Sequence, residues 1–211
     1  MSKAPTALVT GASSGIGKAI YNGLILHNFL TYGLSRNGPD FSIDVSKLTE
    51  DDFDAILNFC EPVNLLVNCA GIMPLDESKR EREIFDTNFW GTYDLMTKLH
   101  FDSEKAVIIN IASVSGMIAE PDVPIYAASK AAVISVTKSL AKKWAPHIRV
   151  NSISPGFFET NLAPDPPKEL TSQIPMGRVA KPDEILETVL SIWYSPYMTG
   201  TNIVLDGGVS L

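Results

Sequence analysis

Tyr126 and Lys130 are the residues of this 211-residue chain whose types and spacing point most directly to acid–base chemistry. Residues at positions i and i+4 lie on one face of a helix, so the phenol and the ammonium can meet. An unperturbed tyrosine titrates near ~10, and a nearby lysine charge lowers that pKa by stabilising the phenolate. The pair therefore predicts a general acid or base. Taken alone, it is also explained by a surface tyrosine and lysine on an amphipathic helix.

Ser113 adds a third polar group, at the end of a predicted strand and thirteen residues before Tyr126. Ligands of open α/β sheets bind at the carboxyl ends of the strands. Gly11, Asn68 and Ser113 all fall at such ends. This shared position favours a ligand site over a surface pair.

The stretch 10–17 reads Thr-Gly-Ala-Ser-Ser-Gly-Ile-Gly and lies between a short apolar run and an amphipathic segment. Its glycines allow a tight turn and a close approach of the backbone to a ligand. The helix that follows offers free N–H groups and the positive end of its dipole to a pyrophosphate. By itself the motif also fits a turn that merely connects a strand to a helix.

The elements that must position these residues alternate along the chain, which predicts a parallel sheet with helices on both faces. The predicted strands are 7–10, 30–35, 41–44, 63–68, 105–112, 149–154 and 203–205. The predicted helices are 15–27, 49–59, 81–99, 125–144 and 182–193. We expect one domain over 1–211, with an irregular, proline-rich flap at about 157–179.

About five residues separate the second and third predicted strands, whereas a parallel crossover needs roughly a dozen. Either the usual helix is deleted and the third strand is rudimentary, or the strand pairing is irregular here. In both cases we expect no helix between Arg36 and Asp44.

Composition and charge exclude several classes of protein. The net charge of −7 argues against nucleic acid or an anionic membrane as the main partner. No signal-peptide pattern or apolar run of transmembrane length is present. Cys60 and Cys69 form no paired framework, and the three histidines have no metal-ligand spacing. We expect a cytoplasmic protein without a metal.

Taken in order, the motifs resemble those of the short-chain dehydrogenase/reductase family over nearly the full length of the chain. They are Thr10-Gly-x-x-x-Gly-x-Gly17, Asp44-Val45, Asn68-Cys-Ala-Gly71, Asn88, Ser113, Tyr126-x-x-x-Lys130, Pro155-Gly156 and Asp206-Gly-Gly208. The resemblance implies a Rossmann-type, doubly wound parallel sheet, a nicotinamide cofactor and hydride exchange between a carbonyl and an alcohol. It also implies a homodimer or homotetramer that pairs helices 81–99 and 125–144 with their symmetry mates.

The same resemblance implies a role for each site residue. Tyr126 would protonate the carbonyl oxygen and Ser113 would hydrogen-bond it. Lys130 would hold the nicotinamide ribose and tune Tyr126, and Asn88 would help to anchor a proton-relay water. The cofactor would contact Gly11, Ser13, Ser14, Gly15, Ile16, Gly17, Ser35, Arg36, Asn37, Asp44, Val45, Asn68, Ala70, Gly71, Tyr126, Lys130, Pro155, Gly156 and Thr160.

The end of the second strand bears on the choice of cofactor. NAD sites place an acid there that accepts hydrogen bonds from the ribose 2′-hydroxyl, and such an acid would repel a 2′-phosphate. Ser35 stands at this point, Arg36 follows it, and the next carboxylate is Asp40. A guanidinium binds phosphate through forked, charge-assisted hydrogen bonds. We therefore expect NADP(H) to be preferred and NAD(H) to be possible, although Arg36 also fits a solvated turn residue.

The sequence thus predicts a carbonyl reductase or alcohol dehydrogenase that acts on a small molecule. A 3-oxoacyl-thioester reductase is the alternative enzyme, and a cofactor-binding regulator without turnover is the alternative outside enzymes. The intact set of Ser113, Tyr126 and Lys130 argues against a regulator. An apolar wall of the substrate pocket is expected from Met117, Ile118, Phe157, Phe158 and Leu162.

Overall fold

The computed structural model describes residues 3–60, 62–74, 76–102, 106–160 and 171–211. Its strands are β1 Thr6–Thr10, β2 Leu30–Ser35, β3 Phe41–Ser42, β4 Leu65–Asn68, β5 Ala106–Ile111, β6 Ile148–Pro155 and β7 Asn202–Leu205. They form one sheet in the order β3-β2-β1-β4-β5-β6-β7. Every neighbouring pair is parallel. The Rossmann-type sheet expected from the sequence is thereby confirmed.

Helices cover both faces of this sheet. They are α1 Gly15–Leu26, α2 Glu50–Cys60, α3 Glu81–Phe85, α4 Gly91–Lys98, α5 Pro124–Trp144 and α6 Leu186–Tyr194. Helices α1 and α6 pack on one face, and α2, α4 and α5 pack on the other. The helix predicted over 81–99 contains a π-helical turn at Asp86–Trp90, between α3 and α4.

The central strands are apolar on both sides because each face is covered. Every residue of β1, β4 and β5 is buried. Neighbouring side chains alternate between the two cores: Val9 belongs to the α1 and α6 side, and Leu8 belongs to the α2, α4 and α5 side. This arrangement explains the unbroken apolar run of β5, as expected for a doubly covered parallel sheet.

The connection between β2 and β3 contains no helix, as predicted. After Ser35 the chain folds back until Asp40 lies beside Gly33. The Asp40 amide donates to the Gly33 carbonyl at 3.3 Å, and Asp40 Oδ2 accepts from the Gly33 amide at 2.7 Å. The chain then runs forward again as β3, which pairs Phe41 with Leu34. The helix is deleted and the third strand is rudimentary.

Gly33 permits this short crossover because it has no side chain. A Cβ atom at this position would lie 2.6 Å from Cγ of Pro39 and 2.7 Å from Cβ of Ala12. The turn therefore packs directly on the strand in the place of a helix. Tyr21 of α1 also contacts the turn, through a hydrogen bond to Asp40.

Two further features bear on the class of protein. No helix in the part of the chain that the structure describes is long and apolar enough to cross a membrane. The described residues also contain no group of three or more His, Cys, Asp or Glu that could hold a metal ion.

Candidate active site

A cleft of about 380 Å³ opens where the carboxyl ends of the parallel strands meet. Most of the residues predicted from the sequence line it. They are Gly11, Ser13, Ser14, Gly15, Ile16, Gly17, Ser35, Arg36, Asn37, Asp44, Val45, Ala70, Gly71, Ser113, Tyr126, Lys130, Pro155 and Thr160.

Eight further residues line the cleft without having been predicted: Ile43, Ser46, Cys69, Ile72, Glu83, Thr87, Ile111 and Ala112. Six of them directly precede or follow a predicted residue in the chain, so adjacency was the available signal. Ile111 has no such neighbour, but it ends the strand that leads to Ser113. Glu83 has none either, and it lies on α3, which packs against α5.

Three predicted residues do not line the cleft. Asn68 is buried at the end of β4, where its Nδ2 donates to Oδ1 of Asn110 at 2.9 Å. Gly156 provides space for a close backbone approach, because a Cβ atom there would lie 2.8 Å from Cα of Asp206. These residues support the walls of the cleft rather than form them.

Asn88 is the third residue outside the cleft, and it joins three segments. It lies in the π-helical turn, where its Oδ1 accepts from the Ile72 amide at 2.8 Å. Its Nδ2 donates to the Ile72 carbonyl at 3.0 Å and to Ser129 Oγ at 3.1 Å. The buried amide thereby fixes the segment after β4 to α5.

The glycine turn is shaped by close backbone contacts. Gly11 has φ +69° and Gly15 has φ +52°, both in the left-handed region that glycine tolerates. A Cβ atom at Gly17 would lie 2.3 Å from the Gly11 carbonyl oxygen. The motif is thus required by the fold of the turn as well as suited to a close ligand.

The residues at this turn fit a dinucleotide. The N-cap of α1, Ser14, makes no side-chain capping bond, and the first turn of the helix contains no acid. Its N–H groups and dipole are therefore available to a pyrophosphate. At the end of β2, Ser35 Oγ is buried and has no hydrogen-bond partner among the described residues. A ribose hydroxyl or phosphate would satisfy it.

The side of the cleft at the end of β2 carries charges of both signs. Asp44 Oδ1 accepts from Ser46 N at 3.0 Å and from Ser46 Oγ at 2.7 Å. Burial acts to raise the pKa of Asp44, but these bonds and the charges of Arg36 and Lys47 leave the pKa below its usual value. Arg36 is exposed and lines the cleft close to this carboxylate.

Glu83 of α3 also lines this side of the cleft. Arg80 Nε donates to Glu83 Oε2 at 2.7 Å, and a second bond joins Arg80 Nη2 to Oε1. The pKa of Glu83 lies below its usual value, chiefly because of the Arg80 bond and also because of the charge of Arg36. Arg36 therefore faces two ionised carboxylates, Asp44 and Glu83.

Ser113, Tyr126 and Lys130 meet at the other end of the cleft, and all three are buried. The Ser113 hydroxyl and the Tyr126 phenol are hydrogen-bonded. Lys130 Nζ donates to the Ile111 carbonyl at 2.9 Å and lies 5.8 Å from the centre of the Tyr126 ring. The structure thus brings together the groups that the spacing suggested.

The protonation of this cluster differs from the sequence prediction. Burial raises the pKa of Tyr126, and the Ser113 hydrogen bond only partly opposes it. Burial also lowers the pKa of Lys130 to about 8. In the free chain, burial thus outweighs any lowering of the Tyr126 pKa by the charge of Lys130, and a role for Lys130 in stabilising the phenolate stays a prediction. Desolvation, which spacing along a helix does not reveal, dominates both groups.

The expected apolar substrate wall is only partly present. Met117 and Ile118 expose large apolar surfaces. Phe158 is 5% exposed and belongs to the core beside α1 and α6, so the prediction for it is wrong. Its backbone pairs with Ala180 and ties the two ends of the flap. Leu162 and the flap residues 161–170 lie outside the described residues.

Known proteins similar to this chain were found by sequence. A family model described as "Enoyl-(Acyl carrier protein) reductase" matches residues 40–210. The chain is 34% identical to carbonyl reductase family member 4 of Xenopus tropicalis, over 96% of this chain and 97% of that protein. It is 33% identical to the 3-oxoacyl-[acyl-carrier-protein] reductase FabG of Thermotoga maritima, over 96% of each. It spans 43% of a longer, uncharacterized relative from Sinorhizobium fredii, which is 32% identical.

Solved structures agree with these relatives. Aldohexose dehydrogenase of Thermoplasma acidophilum is 29% identical, with a TM-score of 0.89 over 99% of this chain and 94% of that one. A 4-hydroxyisoleucine dehydrogenase complexed with NADH is 27% identical, with a TM-score of 0.84 over 97% and 98%. Fold, ordered motifs and relatives agree, and this chain belongs to the short-chain dehydrogenase/reductase family of NAD(P)-dependent oxidoreductases.

Proposed function

We propose that this protein is an NADP(H)-preferring carbonyl reductase that interconverts a small carbonyl compound and its alcohol, with Tyr126 as the general acid and base. One observation carries this proposal. The buried cluster of Ser113, Tyr126 and Lys130 shares a single cleft with the glycine turn. A protein that only sensed the cofactor would not need this cluster.

Each residue of the cluster has a part in the proposed reaction. A bound nicotinamide cofactor supplies or accepts the hydride. Tyr126, kept protonated by its raised pKa, donates its proton to the carbonyl oxygen during reduction. Ser113 hydrogen-bonds the same oxygen, and the Lys130 ammonium stabilises the phenolate that is left. In alcohol oxidation the same phenolate accepts the proton.

The cofactor would be held along the length of the cleft. The glycine turn and the first turn of α1 bind the pyrophosphate, and Asp44 and Val45 contact the adenine. Ser35, Arg36 and Asn37 bind the 2′-phosphate of NADP(H). This preference is supported by the lack of an acid at the end of β2, where Ser35 is followed by Arg36.

A 3-oxoacyl-thioester reductase is the second candidate, because a 3-oxoacyl-[acyl-carrier-protein] reductase is among the relatives and matches over 96% of its length. The chemistry at the carbonyl would be the same. The candidates differ in the group attached to it, which the exposed surface around Met117 and Ile118 would contact.

Turnover of a substrate panel tests the proposal. Simple ketones, 3-oxoacyl thioesters and enoyl thioesters would be offered with NADPH and with NADH, and oxidation of the cofactor would be followed by absorbance. We expect ketone reduction that is faster with NADPH at subsaturating cofactor. Faster reduction of 3-oxoacyl thioesters would favour the second candidate. Tight NADPH binding without turnover of any compound would favour the regulator.

We also propose a homodimer or homotetramer. Phe85, Phe89, Trp90 and Tyr93 form a cluster of aromatic contacts on the helical run 81–98, and Trp90 is 51% exposed. Such a patch suits pairing with a second copy. Light scattering should give a multiple of the 22.9 kDa chain mass. A monomer at micromolar concentration would contradict this.

A cytoplasmic location is proposed from cysteine usage. Cys60 and Cys69 are both free thiols. Disulfides persist mainly in oxidising compartments, so free thiols support a reducing one.

A further inference from the structure

We infer that Glu77 positions Tyr126 for proton transfer by holding the amino end of α5 against the segment that follows β4. Glu77 opens a short 3₁₀ turn, Glu77–Lys79, and is only 8% exposed. Its Oε2 accepts from the Ile125 amide at 2.9 Å, and its Oε1 accepts from the Tyr126 amide at 2.8 Å. The carboxylate thus binds the backbone of the proposed catalytic tyrosine itself.

Helix α5 needs this carboxylate because its own sequence cannot cap it. The first N–H groups of a helix have no partner within the helix. Val123, at the N-cap, makes no side-chain capping bond, and Pro124, which follows, has no N–H group. The amides of Ile125 and Tyr126 therefore require acceptors from elsewhere, and Glu77 supplies both.

The charge of Glu77 strengthens this arrangement. A carboxylate is stabilised at the positive end of a helix dipole, and hydrogen bonds to a charged acceptor are stronger than neutral ones. The cap comes from a residue 48 and 49 positions earlier in the chain. It therefore does more than satisfy the helix end, because it joins two separate segments.

Both joined segments line the cleft. The chain from Cys69 to Ile72 lies beside Tyr126 and Lys130 of α5, and a Cβ atom at Gly71 would lie 3.4 Å from Lys130 Nζ. Asn88 already connects Ile72 to Ser129 on the next turn of α5. Glu77 adds an attachment at the first turn, and so fixes where the Tyr126 backbone lies relative to Ser113. Glu77 is absent from the cleft lining, which makes it a positioning residue.

This inference rests on the proposed role of Tyr126, and Glu77→Ala tests it. Loss of both bonds should lower kcat about 10- to 100-fold, because small misplacements of a reacting group have effects of that size. The Kd for NADPH, set mainly at the other end of the cleft, should change less than about twofold. The Tm should also fall, by about 5–10 °C, because two charge-assisted bonds are lost.

Glu77→Gln gives a graded version of the same test. One amide oxygen can still accept a bond, whereas the –NH₂ group can only donate. We expect a kcat between those of the wild type and Glu77→Ala. Glu81→Ala, which removes an exposed acid four residues away, is the control and should leave kcat, Kd and Tm unchanged.

A local cap separates positioning from simple helix stabilisation. Val123→Ser places a good N-cap residue where it can accept from the first-turn amides. Combined with Glu77→Ala, it should restore most of the Tm but leave kcat low, because the two segments are still not joined. If Glu77→Ala does not fold, the same comparison is made with Glu77→Gln.

Two results would overturn the inference. One is a kcat that is unchanged in both Glu77 variants. The other is recovery of kcat together with Tm when Val123→Ser is added, which would make Glu77 only a helix cap. Failure of the proposed function looks different, because a Tyr126→Phe variant would then keep its turnover whatever the Glu77 variants do.

Discussion

The two ends of the cleft are built in different ways. At the catalytic end, Tyr126 is 6% exposed and Lys130 is 5% exposed, and each contacts fixed partners on β5 or just after it. At the end proposed to hold adenosine, Arg36 and Asn37 are exposed on the short turn that connects β2 to β3 in place of a crossover helix. The side chains of the first end are buried and have fixed partners. Those of the second end are exposed to solvent on a short turn.

The difference decides how each end acts on a ligand. Burial changes protonation strongly, as the raised Tyr126 pKa and the lowered Lys130 pKa show. Exposed charges are screened by water and salt, so each contributes modestly. We therefore expect the catalytic end to control the rate and its pH dependence. The adenosine end should control cofactor choice by smaller increments.

Tyr126→Phe should give the largest effect. The substitution keeps the ring and removes the proposed proton donor, so turnover should fall by about 10²–10⁴, as for other general acid–base groups. Binding of NADPH, measured by fluorescence titration, should barely change. Tyr194→Phe, at a tyrosine that is exposed on α6, is the control. Near-normal turnover of Tyr126→Phe would remove the basis of the mechanism.

Titration of Lys130 should give the next largest effect. Its pKa of about 8 means that the ammonium loses its proton above that pH. The value of kcat/KM for NADPH reports groups of the free enzyme. It should be flat up to about pH 7 and fall by about tenfold per unit well above pH 8. Lys130→Arg, whose charge persists through this range, should not show the break at pH 8 in its residual activity.

The contribution of Lys130 to stability should increase with pH, whereas the activity should decrease. The pKa of Lys130 is lower in the folded chain than the ordinary 10.5, so the unfolded state binds more protons between about pH 8 and 10.5. The Lys130 contribution to stability therefore rises with pH over that window. Activity lost between pH 8 and 9.5 without a fall in Tm would support the assignment. Loss that tracks unfolding would contradict it.

The sequence was informative wherever a pattern is local. Alternating apolar runs predicted the parallel sheet, and its shared carboxyl edge brought Gly11 and Ser113 into one cleft as expected. Asn68, the third residue predicted at that edge, is buried and does not line the cleft. The five residues between β2 and β3 correctly excluded a helix because chain length alone forbids the crossover. The number of residues between two strands and the spacing of apolar residues can both be taken from the sequence without a structure.

Features that depend on contacts between residues distant in the sequence could not be predicted from it. Glu77 caps a helix that begins nearly fifty residues later, and Glu83 enters the cleft only because α3 packs there. The protonation of Tyr126 follows from how completely the fold buries it, which i,i+4 spacing does not report. Phe158 was predicted to line the substrate pocket. Its backbone instead pairs with Ala180, and its side chain packs in the core.

Changes at Arg36 should have the smallest effect and the most selective one. Arg36→Ala removes a charged partner of the 2′-phosphate, a contact worth ~1.5–3 kcal/mol before screening by solvent. We expect NADPH affinity to fall about tenfold and NADH affinity to change little, with kcat at saturating NADPH unchanged. Arg82→Ala, at an exposed arginine of α3 that does not line the cleft, is the control. Equal losses for both cofactors would contradict the assignment.

Ser35→Asp sharpens the same test by adding a negative charge at the end of β2. An acid at the end of β2 accepts hydrogen bonds from a ribose 2′-hydroxyl and repels a 2′-phosphate. The preference should therefore shift towards NADH, while the pH dependence set by Lys130 should be unchanged because that group lies at the opposite end of the cleft. A wild-type preference for NADH would show that Asp44 and Glu83, the two carboxylates facing Arg36, outweigh its charge, and that the adenosine end is an NAD site.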